Sequence, residues 1–193
     1  MRALPAVLLP LLFVIAACSE PPQKEIDRAQ EVIAAARAAG AEQYATEAFA
    51  AANAALRQSH DAVALRDYRL ALTRALDAND RAQEAVSGAA VGKARARSEA
   101  ERAINATSSA LQRFRGKIAG DASRVSRTEA DLALRTLRDG ESALQEARAA
   151  LSVGDYLSSK DTVKGLDARI TAQMQALDAS VASRPARQTR RRR

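Results

Sequence analysis

The sequence predicts an all-α protein, an elongated antiparallel helical bundle read as two three-helix bundles in tandem that share a long central helix. Three observations predict it. Apolar residues recur at steps of three and four from Ile26 to Val181, the spacing that lines one helical face. No proline occurs between Pro22 and Pro185, so nothing in that span fixes φ or removes a backbone donor inside a helix. Alanine dominates the apolar residues while aromatics are scarce, and alanine is the best helix former but buries little surface. Such a chain builds long helices packed through small side chains and not a thick globular core. One extended antiparallel coiled coil is the alternative arrangement.

The elements follow in order. After a tether containing Pro21 and Pro22, Ile26, Ala29, Ile33 and Ala36 mark a first helix that ends near Gly40. Ala45, Phe49, Ala52, Leu56 and Val63 mark a second, with Thr46 in the N-cap region. It breaks near Leu65-Arg66. Asp67 then caps a third helix whose inner stripe is Tyr68, Leu72, Ala75, Ala82 and Val86. Gly88 and Gly92 cost about 1 kcal/mol each against alanine without forbidding a helix, so one helix of roughly 75 Å is expected from Asp67 to Arg115. Its middle, Lys93 to Glu101, is polar nearly all round, as in a helix that bridges two bundles through solvent. The stripe resumes at Ile104, Thr107, Leu111, Phe114 and Ile118. A loop at Gly120-Asp121 follows, then a capping box of Ser126 with Glu129 and a helix carrying Leu134, Leu137, Leu144, Ala147 and Leu151. Gly154-Asp155 punctuate, and Asp155 caps a last helix with Val163, Leu166, Ile170, Leu177 and Val181. Gly140 and Gly165 lie inside these two helices.

A repeat accompanies this pattern. Ala64-Leu65-Arg66-Asp67-Tyr68 parallels Ser152-Val153-Gly154-Asp155-Tyr156 at a spacing of 88 residues. The chain accordingly divides into a leader at 1–17, a cysteine and tether at 18–24, a first bundle at 25–92, a second at 93–183 and a tail at 184–193.

Charge separates body from tail. The formal net charge is +7, and removing the leader takes Arg2 with it. The tail carries Arg184, Arg187, Arg190, Arg191, Arg192 and Arg193, which leaves the body from Cys18 to Ser183 formally neutral. Six arginines in ten residues cannot form a core and are expected to stay disordered. They can pair bidentately with phosphate or carboxylate, or remain a solvated end without a partner.

The leader fixes location better than activity. Arg2 is a basic n-region, Ala3 to Ala17 are apolar, and Ala16 and Ala17 precede Cys18, the chain's one cysteine. A membrane span needs about 20 apolar residues, whereas this run is shorter and holds Pro5 and Pro10. An ordinary secretory signal also fits the n- and h-regions. The run Ile15-Ala16-Ala17-Cys18 resembles the lipobox of bacterial lipoproteins. The resemblance implies that Cys18 is acylated and becomes the first residue of the mature protein, anchored by several chains at about 0.8 kcal/mol per buried methylene. Ser19, where an inner-membrane retention signal would be Asp, implies the outer membrane on its periplasmic side.

A second resemblance covers roughly residues 25–85. Ala38-Ala39-Gly40-Ala41-Glu42-Gln43-Tyr44-Ala45 and Ala64-Leu65-Arg66-Asp67-Tyr68 are similar to the A-A-G-A-x-x-Y-A turn and G-D-Y element of Ala-rich envelope lipoproteins grouped as domain of unknown function 4398, with Arg66 in place of the usual glycine. The family implies no activity. The Gly-Asp-Tyr turn is also similar to that of tetratricopeptide repeats, but their 34-residue period is missing.

Candidate chemistry is sparse. His60 is the one histidine. A metal site needs several converging ligands, so His60 reads as a helix-end residue favourable to the dipole. No Gly-x-Ser-x-Gly occurs, and a serine nucleophile would need a base and an orienting group where His60 is the one imidazole. No catalytic residue, metal site or cofactor is expected. Tyr44, Tyr68 and Tyr156 sit at turns, either as a recognition surface or as corner-packing residues. Asp77 with Arg81, Glu99 with Arg102 and Asp131 with Arg135 have helical spacing and read as solvated pairs contributing roughly 0.2–0.5 kcal/mol each. The expected function is that of a non-enzymatic outer-membrane lipoprotein, a spacer or interaction module. Its partners would be the membrane through the anchor, and anionic lipid, lipopolysaccharide or peptidoglycan through the tail. No nucleic acid is expected. The alternative is an accessory subunit or assembly chaperone that binds an envelope protein through grooves between helices.

Overall fold

The computed structural model describes residues 20–183. Among these residues all regular structure is helical: α1 (Gln23–Ala38), α2 (Ala41–Tyr44), α3 (Thr46–Ala64), α4 (Tyr68–Asp121), α5 (Arg127–Ser152), α6 (Tyr156–Thr162) and α7 (Leu166–Ser183). Their contacts divide into two compact units, the first ending at Gly88 and the second beginning at Ala89.

In the first unit α1 starts directly after Pro22, whose carbonyl accepts from the Ile26 amide at 3.1 Å. Ile26, Ala29, Ile33 and Ala36 are buried, as their spacing predicts. Gly40 ends the helix at φ 86°. A Cβ there would also lie 3.3 Å from the Tyr44 ring, a close contact, but it is the left-handed conformation that favours glycine. Thr46 is not a cap. It is the first residue of α3, behind an Ala45 N-cap that has no side-chain bond to give, because α2 runs into α3 across that single residue. α3 passes α1 in the opposite direction: Arg37 lies over the Phe49 ring at 5.4 Å, and Gln30 meets His60 at 3.3 Å. The inward face of α4 also differs from the expected stripe. Ala71, Ala75, Ala78, Ala82 and Ala85 are buried, whereas Leu72 and Leu76 are exposed. An unbroken row of alanines lets helices approach closely, and that approach turns the leucines outward. Ala29, Ala55 and Ala78 meet in one cluster, with Leu56 against it.

The second unit is built from larger residues. Ile104, Leu111 and Phe114 of α4 pack with Leu137 and Leu144 of α5, with Val163, and with Leu166, Ile170 and Leu177 of α7. The stretch from Lys93 to Glu101 is not solvated all round: Ala96 and Ala100 are buried, and Glu99 binds Lys160. The capping box of α5 is present, with Ser126 Oγ accepting from the Glu129 amide at 3.2 Å and Glu129 Oε2 accepting from the Ser126 amide at 2.7 Å. Leu134 is exposed, and the inward face runs instead through Ala133, Leu137, Gly140, Leu144 and Ala147. A Cβ on Gly140 would come within 2.7 Å of Leu111 Cδ2, so glycine is what lets the Leu111 side chain lie there. Gly165, by contrast, breaks its helix. At φ 71° it separates α6 from α7, yet Val163, Leu166, Ile170 and Leu177 stay buried on both sides of the break.

The two Asp-Tyr turns are one structure formed twice. In the first, the amides of Leu65, Arg66 and Asp67 bond the carbonyls of Asp61, Val63 and Ala62. In the second, Val153, Gly154 and Asp155 bond Ala149, Leu151 and Ala150 in the same pattern. Each is a Schellman ending with a left-handed residue at its centre. The aspartate that closes it caps the next helix: Asp67 Oδ1 accepts from the Leu70 amide at 3.0 Å, and Asp155 Oδ1 from the Ser158 amide at 3.1 Å. Burial keeps the same 88-residue register through the flanking helices, pairing Phe49 with Leu137, Ala75 with Val163, Ala78 with Leu166 and Ala82 with Ile170. One buried bond has exchanged its ends. Ser59 Oγ donates to the Ala71 carbonyl at 2.8 Å, and Ser159 Oγ donates to the Ala147 carbonyl at 2.8 Å; Ser59 matches Ala147 and Ala71 matches Ser159 in the repeat.

Candidate interaction surfaces

The residues singled out from sequence fall into two groups. Cys18 and the arginines at 184, 187, 190, 191, 192 and 193 lie outside the described residues. The others have defined places. His60 sits in the last turns of α3 beside Gln30, and among the described residues no group of His, Cys, Asp or Glu could hold a metal ion. Tyr68 and Tyr156 open the helices that follow the repeated turns, while Tyr44 closes α2 against Gly40.

The charged pairs are partly those expected. Asp77 binds Arg81 at 2.9 Å. Glu99 takes Lys160 of α6 at 2.9 Å, a partner 61 residues away that helical spacing could not reveal, and Asp131 makes no ion pair with Arg135. The Lys160 hydrogen bond and its positive charge hold the Glu99 carboxyl below the usual carboxylate range. Lys117 of α4 bonds both Asp178 of α7 and Asp121; the hydrogen bond to Asp178, then that to Asp121, raise its pKa. Arg97, hydrogen-bonded to Glu101 at 2.9 Å, is likewise raised, chiefly by that bond and charge. The Glu99–Lys160 and Lys117–Asp178 contacts fasten helices within the second unit, whereas Arg97–Glu101 and Lys117–Asp121 lie within α4.

Two features of the surface stand out among the described residues. In the first unit, a groove between the α2–α3 corner and α4 is lined by Tyr44, Thr46, Glu47, Arg81, Glu84 and Gly88. Its mixed charges and single aromatic suit a polar peptide more than a lipid tail. The second is the tip of each repeated turn, where a large apolar side chain stands in solvent: Leu65 is 80 % exposed and Val153 81 %. The tips differ in charge. Arg66 occupies the left-handed position at φ 57°, the one non-glycine with positive φ among the described residues, where the second turn has Gly154 at φ 83°. That conformation costs an L-residue roughly 1–2 kcal/mol. Arg69 is likewise matched by Leu157. In the sequence Arg66 stands out only as a departure from a glycine pattern. The signal that singles it out is the strained backbone in one copy of a turn whose other copy has the unstrained residue.

No helix of the described residues is long and apolar enough to cross a membrane. No family model matches the chain, and no match is found among curated proteins or solved structures.

Proposed function

We propose that this protein is a non-enzymatic lipoprotein of the outer membrane, facing the periplasm, that acts as a spacer or interaction module in the cell envelope. One observation carries the reading: an apolar leader ends in Ile15-Ala16-Ala17-Cys18, and a folded helix begins at Gln23, with only a short tether between. In this reading the two units are three-helix bundles in tandem that share α4, which contributes buried residues to both. Alanine-lined packing and locally paired charges support a mechanical role. The tail from Arg184 to Arg193 contacts anionic lipid, lipopolysaccharide or wall polymer. Cys18→Ala should abolish palmitate labelling and release the protein from the membrane fraction. An unlabelled wild-type protein would end the lipoprotein reading. Deleting residues 184–193 should weaken salt-sensitive co-sedimentation with anionic vesicles or wall sacculi, and unchanged sedimentation would remove the tail from the mechanism.

The groove at Tyr44, Glu47, Arg81 and Glu84 favours a second reading, an accessory subunit or assembly chaperone. Crosslinking from Glu47 should then capture a specific envelope protein even without the tail. Capture of lipid or wall material alone would count against it.

A further inference from the structure

The lipidated Cys18 of the proposed function places a strict limit on the first unit. Gln23 is the fifth residue after Cys18, and five fully extended steps span at most about 18 Å. The start of α1 is therefore held close to the bilayer. The turn between α3 and α4 lies at that same end. Gln30 meets His60, so α3 finishes near the level at which α1 begins. Lys24 and Arg28 share a groove with Leu76 and Asp80 of α4. From Leu76 back to Tyr68 is eight residues, about 12 Å of helix at 1.5 Å per residue. The turn thus lies at the anchor-side end of the first unit, within the tether's reach of at most about 18 Å.

We propose that this turn is a membrane-contact tip: Leu65 enters the boundary between headgroups and acyl chains, and Arg66 and Arg69 pair with lipid phosphates. The inference rests on acylation of Cys18. Three features of the turn fit that surface, and two of them, the arginines, are absent from the other copy. Leu65 is exposed at a place where solvent gives it no partner. Arg66 keeps a strained backbone that Gly154 avoids in the other copy, and strain retained in one copy only points to a role for its side chain. Arg69 adds a second guanidinium where the other copy has Leu157, and guanidinium matches phosphate geometry bidentately. Asp67 does not oppose the contact by position alone, because its carboxylate is turned to the Leu70 amide as a cap. The Val153 turn shares the apolar tip but neither arginine, and it lies in the second unit, away from the anchor in sequence.

The test uses the full-length acylated protein on vesicles of phosphatidylethanolamine and phosphatidylglycerol. An environment-sensitive dye is placed through Leu65→Cys or Val153→Cys, the acylated Cys18 thiol being unreactive. The dye at position 65 should shift to the blue and be quenched by nitroxide-labelled lipid, while the dye at 153 should do neither. Adding Arg66→Gly and Arg69→Leu, the residues of the other copy, should remove the quenching at 65 with helix content unchanged by circular dichroism. A dye at 65 as water-exposed as that at 153, on protein that pellets with the vesicles, would overturn the contact alone. Full quenching in the double variant would overturn the role of the arginines. Protein without palmitate that stays in the supernatant would overturn the anchor and this contact with it.

Discussion

The helix pair α3–α4 and the pair α5–α6/α7 bury the same positions with different volumes. Ala75, Ala78 and Ala82 in the first stand where Val163, Leu166 and Ile170 stand in the second. The turn between the helices is bonded identically in both. Position in the repeat therefore decides which face turns inward, and residue size decides how much surface that face buries. The alanine pair gains little area per residue and depends on close approach. The branched pair gains more per residue and depends on filling its volume.

Removing the largest buried side chain tests the second unit hardest. Phe114 is fully buried, and Phe114→Ala should lower stability by about 3–5 kcal/mol in urea denaturation; a loss below about 1 kcal/mol would mean that the core is not organised around it. The copies should also respond in opposite ways to volume. Leu166→Ala should cost about 2–5 kcal/mol through a cavity. Ala78→Leu, which gives the first unit the residue of the second, should cost about 1–3 kcal/mol through overpacking. A stabilising Ala78→Leu would show that alanine does not hold those helices close.

A smaller effect is expected at the exchanged bond. Ser59→Ala should cost about 0.5–1.5 kcal/mol, and adding Ala71→Ser, which reproduces the arrangement of the other copy, should recover most of it. A double variant no better than the single one would show that the two sites are not equivalent. The smallest effect concerns pH. Because Glu99 is held below its ordinary value by Lys160, their pair stabilises the fold above the unfolded carboxylate pKa of about 4.3 and is lost as pH falls through the lower folded value. Glu99→Gln should flatten that part of the acid limb in thermal melts, and an unchanged limb would show that the pair contributes nothing.

Apart from Thr46, the expected caps were legible in the chain, and long-range contacts were not. Ser126 with Glu129, Asp67 and Asp155 act on amides three residues away, so their caps could be read directly. The inward face of α4 could not. In an alanine-rich helix two adjacent stripes, one through Leu72 and one through Ala71, fit the same period, and only the approach of a neighbouring helix selects between them. The two interior glycines looked alike for a similar reason. Gly140 stays helical and admits the Leu111 side chain, whereas Gly165 turns left-handed, and nothing beside either residue in the chain distinguishes them. Of the candidate sites, Cys18 and the tail arginines are known as sequence alone, while the charge difference between the two turn tips emerged when one was laid on the other.

The serine bond that changed sides carries a lesson for comparing such repeats. Drift from one arrangement to the other must pass through serines at both places or at neither, and only the first route keeps a hydroxyl in the slot throughout. A column-by-column alignment scores two mismatches there, although what persists is a single donor shared by a pair of columns.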